Sequence, residues 1–340
     1  MTTRQDVADK AGVSPATVSH VVNSTKYVSP ELKVKIERAI EELNYIPNKT
    51  ARNLAMNKTE QVGILVPSLS NPYFGAIAEG MEQVARQNGY IVSLFAPEGS
   101  DYQYISTIIE RQMDGVFLAN TGFQFSENQL KHMERSGVSF VAGLDIGFSG
   151  KNNNSFKNSI VSLDYDPSIR NMFKYLTELG HRRIAFLSGM PVAYSDSRKQ
   201  SYLDYIGKFG LDFEEEFIIT GNYPFSTSAK DGYRDMKKFL STGTDVTAVF
   251  AINDLMAIGA MKAIRGAGLK VPEDISIVGC DNIFLSEAAD PPLTTIDVPK
   301  EELGRKAMEL LLRMINNNEI NEIPLETELI IRDSTSFAKK

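Results

Sequence analysis

Several side chains able to do chemistry stand at or just past the ends of apolar runs in this 340-residue chain. Asp145 ends SFVAGLD, Asp164 falls near the end of SIVSLDY, Asn253 ends AVFAIN and Asp281 ends ISIVGCD. Arg198 opens a helical stretch after RIAFLSG, and Tyr73, Phe74 and Tyr223 offer flat apolar faces. Carboxylates at strand ends can act as general acids or bases, but none here has an evident companion base. As recognition groups the same residues are well matched. Carboxylates accept hydroxyl protons, a carboxamide both donates and accepts, and a guanidinium brings a planar five-donor fork. An aromatic wall with such a fork fits a small polyhydroxylated ligand. Each residue also has a plainer use: Asp281 and Asn253 can cap the segments that follow them, and the aromatics can be core.

Other reactive constellations are missing. No GxGxxG follows the first strand-like run, and the chain has neither GxxxxGK[ST] nor GxSxG. The histidines are His20, His132 and His181; the second falls on an outer helix and the third in a helix-to-strand turn. No histidine pair or cysteine cluster has metal-ligand spacing, so neither a cofactor nor catalysis is expected. The single Cys280 reads as a small buried hydrophobe and fits a reducing cytoplasm. No apolar run approaches the ~18 residues of a membrane helix, and MTTRQDVADKAG is no signal peptide. A cytoplasmic protein with no membrane partner is expected.

Positioning these residues takes more than one domain, because the chain exceeds the usual single-core limit of about 250–300 residues. Hydrophobic residues make up 42% and charged ones 23%, ordinary for a globular protein. The net charge of −7 argues against a generally basic nucleic-acid binder, but it is unevenly placed. Residues 1–60 carry nine Lys/Arg and seven Asp/Glu, a net +2, which leaves −9 for the remainder. That asymmetry marks a small module with its own partner.

The module reads as three short helices. Thr3 and Asp6 form a capping pair ahead of Val7, Ala8 and Ala11, and Gly12 ends the helix. Ser14-Pro15 and Ser29-Pro30 are two cap-then-proline starts. Leu32, Ile36, Ala39, Ile40 and Leu43 mark one face of the third helix. With Val18, Val21 and Val22 buried, the second helix leaves Pro15, Ala16, Thr17, Ser19 and His20 outward. That is a helix-turn-helix pattern whose small polar residues suit phosphates and base edges. Spacing alone leaves a generic protein-binding bundle open.

From Val62 the chain alternates apolar runs with helical stretches: VGILVP, YIVSLFA, GVFLAN and SFVAGLD, then SIVSLDY, RIAFLSG, FIITGN, AVFAIN and ISIVGCD. Such runs indicate buried parallel strands in βαβ units. The loop-rich break GFSGKNNNSFKN (147–158) suggests two similar lobes, and LTTIDVP, one helix and the strand ETELIIRD (326–333) complete the chain.

DVADKAGVSPATVSHVVN, followed by YVSPELKVKIERAIEELNYIPNKTARNLA, resembles the DNA-binding headpiece of the LacI/GalR family of bacterial transcription regulators. The likeness extends through VPSLSNPYF, ELGHRRIAFLSG, FAINDLMAIGAMKAIRGAGLKVPEDISIVGCDN and PPLTTIDVPKEELG, nearly the whole chain. The resemblance implies an all-α helix-turn-helix headpiece (1–47), a hinge helix or linker (48–58) and an α/β core of two periplasmic-binding-protein-like lobes (61–340). The first lobe would hold about 61–161 and 298–325, the second about 162–296 and 326–338, joined by three crossovers.

By that resemblance the helix from Ser14 to Asn23 enters the major groove, with most base choice at positions 15, 16 and 20. Pro15 and Ala16 bring no side-chain hydrogen bond, which shifts weight to His20, to van der Waals fit and to Arg52. Ser14, Thr17, Ser19 and Asn23 complete that surface. Lys49, Thr50 and Arg52 would meet phosphates or the minor groove, and Leu54 would wedge into a central base step. Asn71, Tyr73, Phe74, Asp145, Arg198, Tyr223, Asn253 and Asp281 would line an effector cleft. The function implied is a repressor of a carbohydrate-catabolism operon that binds pseudo-palindromic operator DNA. It would answer to a small-molecule effector, a sugar or sugar derivative, and work as a homodimer, for which the helix 73–88 would supply much of the interface. No leucine-heptad tail follows Asp333, which favours a dimer over a tetramer. Cys280 stands where the family usually has an aromatic residue, and SLDYDPS (162–168) departs from the family's turn. The catabolite-control branch, which answers to a phosphorylated carrier protein, has a Tyr after this Asp. Yet 283–292 holds Glu287 and Asp290 and no base to meet a phosphoserine. A soluble sugar-binding or sugar-modifying protein whose N-terminal helices serve assembly is the reading from another class.

Overall fold

Thr3 opens the first helix in the computed structural model, which describes residues 2–23, 25–46, 58–96, 102–119, 127–145, 159–189, 197–221, 227–317 and 320–339. The Asp6 backbone N–H donates to Thr3 Oγ1 (3.3 Å) and the Thr3 N–H to Asp6 Oδ2 (2.7 Å), so two orphan donors are satisfied reciprocally. Helix α1 (Arg4–Ala11) stops at Gly12, whose φ of +65° a side chain would strain. Helix α2 (Pro15–Asn23) starts where Ser14 Oγ accepts from the Thr17 N–H at 3.2 Å. Helix α3 (Pro30–Glu42) starts on its proline alone: the Ser29 side chain makes no cap bond, contrary to the sequence expectation. Val7, Ala8, Ala11, Val18, Ile36, Ala39 and Tyr45 bury a small core, with Val21 and Val22 only partly covered. These elements belong to one compact unit, Met1–Thr59; a second spans Glu60–Lys340.

The second unit runs β1 (Gln61–Leu65), α4 (Pro72–Gln87), β2 (Ile91–Phe95), α5 (Tyr102–Glu110), β3 (Gly115–Leu118), α6 (Glu127–Arg135), β4 (Ser139–Asp145) and β5 (Ser159–Asp164). It continues through α7 (Asp166–Glu178), β6 (Ile184–Leu187), α8 (Ser197–Lys208), β7 (Ile218–Ile219), α9 (Ala229–Leu240), β8 (Ala248–Ala251), α10 (Asp254–Gly266) and β9 (Ser276–Asp281). Last come α11 (Phe284–Ala288), β10 (Thr294–Asp297), α12 (Lys300–Asn317), β11 (Glu322–Glu326) and β12 (Glu328–Ile330). Two sheets form among the described residues, ordered β11-β5-β4-β3-β1-β2 and β12-β10-β9-β8-β6-β7. Every pairing is parallel except β10 with β12. The chain therefore crosses between sheets after β5, after β10 and between β11 and β12.

The strands depart from the sequence expectation in three places. ETELIIRD is not one strand: β11 ends at Glu326 in the first sheet and β12 begins at Glu328 in the second. The lobe boundary placed near 161 falls inside β5, which stays in the first sheet through Asp164. Strand β2 is not buried; it is an edge strand with Ile91 and Leu94 exposed. Helices α4 and α12 cross so closely that a Cβ on Gly80 would stand 2.0 Å from the Glu301 carbonyl oxygen, and one on Gly304 2.0 Å from that of Ile77. That crossing fixes α12 on the first sheet. His181 is buried with its ring nitrogens 2.9 Å from Thr247 Oγ1 and 3.0 Å from the Ser336 carbonyl. Burial pushes its pKa down, and it ties the C-terminal segment to the second sheet. His132 lies exposed on α6.

Candidate functional site

Ser14, Pro15, Ala16, Thr17, Ser19, His20 and Asn23 all lie on α2 or at its start. Ser14 Oγ and Thr17 Oγ1 are 2.9 Å apart, and Asn23 Nδ2 donates to Ser19 Oγ at 3.1 Å, so part of this polar surface is self-paired. His20 Nδ1 lies 2.9 Å from Thr25 Oγ1, which fixes the ring and leaves Nε2 for an outside partner. Lys49, Thr50, Arg52 and Leu54 lie outside the described residues.

In the second unit the carboxyl ends of both sheets open onto a cavity of about 290 Å³, where α/β sheets bind ligands. Asn71, Tyr73, Phe74, Arg198, Asn253 and Asp281 line it together. Tyr223 and the side chain of Asp145 lie outside the described residues. Asn71 is the N-cap of α4: its Oδ1 accepts from the Tyr73 N–H at 3.0 Å, which frees its amide donors for other partners. Tyr73 and Phe74 are largely buried and meet edge to face, 5.1 Å between centroids at 82°. They are both core and wall. Asn253 caps α10, accepting from the Met256 N–H at 2.8 Å and donating to the Thr227 carbonyl at 3.1 Å. Arg198 lies over the Tyr165 ring, 5.2 Å from its centroid, and Nη1 donates to the Ile252 carbonyl at 3.0 Å.

Asp281 ends β9 at 5% exposure with a φ of +108°, a conformation L-residues rarely adopt and one found at functional sites. Burial first, then the nearby Asp254 carboxylate, raise its pKa well above the ordinary range. Arg198, Lys300 and a hydrogen bond from Asn71 across the cleft act the other way. Asp281 thus presents a desolvated carboxyl to the cavity, a group that can exchange hydrogen bonds with ligand hydroxyls. Asp164 is not among the residues that line the cavity; its Oδ1 accepts from the Asp166 N–H at 3.0 Å, at the start of the following helix. Cys280 is fully buried and burial raises its thiol pKa, as suits a hydrophobe.

Sequence reasoning passed over Ser68, Ser70, Tyr165, Thr227, Ser228 and Asp231, which also line the cavity. Ser228 and Asp231 form a capping box at the start of α9, and Arg234 Nη1 donates to Asp231 Oδ1 at 2.7 Å. The S-x-x-D spacing of that box was the available signal. Ser68 and Ser70 follow β1, where strand-end position alone pointed to a ligand.

Residues 3–48 match the family described as bacterial regulatory proteins, lacI family, and residues 173–335 match the periplasmic binding protein-like domain. The chain is 34% identical to the HTH-type transcriptional repressor PurR of Pasteurella multocida over 340 residues, 98% of each chain. The chain belongs to the LacI family. Another member, the ribose operon repressor of Escherichia coli, is 32% identical over 99% of this chain and 100% of that one. In structure it resembles the lac repressor dimer bound to operator and the anti-inducer ONPF, with a TM-score of 0.81 and 28% identity. That match covers 98% of this chain and 99% of that one. This LacI-family member is thus a DNA-binding transcription regulator with an α-helical headpiece and a two-lobed α/β core. Its relatives are repressors rather than enzymes. Among the described residues no helix is long and apolar enough to cross a membrane.

Proposed function

We propose that this LacI-family protein is a homodimeric repressor of a carbohydrate-catabolism operon, released from or recruited to a pseudo-palindromic operator by a sugar in the cleft. The observation that carries the ligand class is the convergence of Arg198, Asp281 and Asn71 from two lobes on one small cavity. A carboxylate, a guanidinium and carboxamides can meet a ring with a hydroxyl on most carbons. Tyr73 and Phe74 meet edge to face and supply an apolar wall on which a sugar ring can lie. The likeness to a ribose operon repressor makes D-ribose the first compound to try.

DNA reading falls to α2, with His20 as its side-chain hydrogen-bonding group for a base edge and Pro15 and Ala16 contributing fit. Lys49, Thr50 and Arg52 supply phosphate or minor-groove contacts in this reading, and Leu54 the apolar wedge. The homodimer reading draws on exposed apolar area in the second unit. Ile91 and Leu94 on edge strand β2 are 58% and 43% exposed, and Phe284 on α11 is 72% exposed. Helix α4 adds Gly75, Glu79 and Gln83, which face outward while its other side packs on α12.

Thermal unfolding and calorimetry with D-ribose, other pentoses, hexoses and free nucleobases test the ligand. At a sugar concentration about 100-fold above Kd, mass action adds roughly 2.7 kcal/mol and raises Tm by about 5 °C or more. Asp281→Asn and Arg198→Ala should each remove that rise. Stabilisation by a nucleobase with none by any sugar would overturn the ligand class.

A further inference from the structure

We propose that Asn282 is a positioning residue, the joint of a side-chain strut that links the effector carboxylate Asp281 to two of the three interlobe crossings. The proposal rests on the reading of the cleft as the effector site. Asn282 follows Asp281 directly and has a φ of +49°, a left-handed conformation that asparagine tolerates better than most residues. Its Nδ2 donates to Asp297 Oδ1 at 2.9 Å, and its Oδ1 accepts from Arg332 Nη2 at 2.8 Å. Asp297 is the last residue of β10, where the chain leaves the second sheet for α12, and it pairs with Asp281 on one side and Glu328 on the other. Lys300, the first residue of α12, reaches back: its Nζ donates to the Asp281 carbonyl (2.5 Å) and the Val298 carbonyl (3.0 Å) and lies 3.4 Å from Asp297 Oδ1. Arg332 follows β12, just past the third crossing, and its Nη1 holds the Leu293 carbonyl at 2.8 Å.

The remaining crossing is tied to the third by Thr327, whose Oγ1 donates to the Asp164 carbonyl at 2.8 Å and bonds Ser168 Oγ at 2.5 Å. A change at the Asp281 backbone therefore meets Lys300 and Asn282 first. Through them it meets the two segments whose torsion angles must change if one lobe moves against the other. The side-chain pairs around Asn282 are specific in direction: one donor bond to a carboxylate and one acceptor bond from a guanidinium. Replacing its amide with a carboxylate sets two acceptors face to face, and replacing Asp297 with Asn then restores a donor between them.

The test uses full-length wild type, Asn282→Gly, Asn282→Asp and the double variant Asn282→Asp with Asp297→Asn. D-ribose Kd comes from calorimetry, and operator Kd from band shifts with and without saturating D-ribose. Asn282→Gly tolerates the left-handed backbone without strain and deletes the strut. It and Asn282→Asp should hold D-ribose within about threefold of wild type. The D-ribose-induced change in operator Kd should shrink about fivefold or more, and recover in the double variant. A full wild-type response in Asn282→Gly, or no recovery in the double variant, overturns the proposal. If D-ribose moves neither Tm nor operator Kd of wild type, the D-ribose reading of the cleft fails and the strut is judged without ligand. Amides in 294–300 and 328–332 should then exchange hydrogen faster in Asn282→Asp than in wild type and slow again in the double variant. Equal exchange in all three overturns it.

Discussion

In the proposed DNA reading, much of the weight on α2, whose leading residues are Pro15 and Ala16, falls on His20. Its Nδ1 is taken by Thr25, so Nε2 is the ring atom left to meet a base edge. His20→Ala should weaken binding to operator duplexes selected from random sequence by about tenfold, the scale of one good base contact. Binding to unrelated DNA at the same salt should change less than about twofold, and band shifts in parallel measure both. In the cleft, Arg198, Asn253 and Asp281 could be found from sequence because strand-end position and residue chemistry pointed the same way. Asn71 could be found only by resemblance, since its side chain reads locally as a helix cap, which it also is. Asp231 was missed for a related reason: a capping-box acid looks fully used before the fold shows it facing a cavity.

Elements buried on both sides were legible and edges were not. Strand β8 (AVFA) is buried throughout and β9 (SIVGCD) likewise, and their near-continuous apolar composition says so. Strand β11 reads EIPLE, polar and interrupted by Pro324, because an edge strand needs few apolar residues and tolerates proline. Strand β2 has the composition of a buried strand, yet it ends its sheet. The start of α10 holds a second buried acid, Asp254. It accepts from Ser286 Oγ and Thr295 Oγ1, both at 2.5 Å, and from the Ile283 N–H at 2.9 Å, joining α10 to β10 and α11. Burial outweighs these bonds and raises its pKa from the ordinary 3.8 to about 6. The folded state thus binds this proton more tightly than the unfolded chain. The contribution to stability is full below pH 4 and is lost as pH rises to 6, on the order of 3 kcal/mol across that window. Unfolding free energies for wild type and Asp254→Asn from pH 4 to 6.5 check this. The variant should lose less stability than wild type as pH rises through the window, and equal slopes would contradict the assignment.

At the scale of the molecule, two units with different chemistry serve one equilibrium. The net +2 over residues 1–60 suits phosphates better than the −9 over the remainder, and that asymmetry pointed to a small module with a different partner without saying which. The paired lobes followed from the long βαβ alternation, but their three crossings could not be placed to the residue. Crossing points are set by which sheet accepts a strand, and local composition does not encode that. A ligand changes DNA binding only through unequal affinity for the two states of the protein. The measurement closest to this account is the operator Kd of the full-length protein, by band shift, without and with saturating D-ribose. A change of about tenfold or more in either direction is predicted, from a coupling free energy near 1.4 kcal/mol or greater. An operator Kd that stays constant while calorimetry shows the cleft saturated would contradict the central claim.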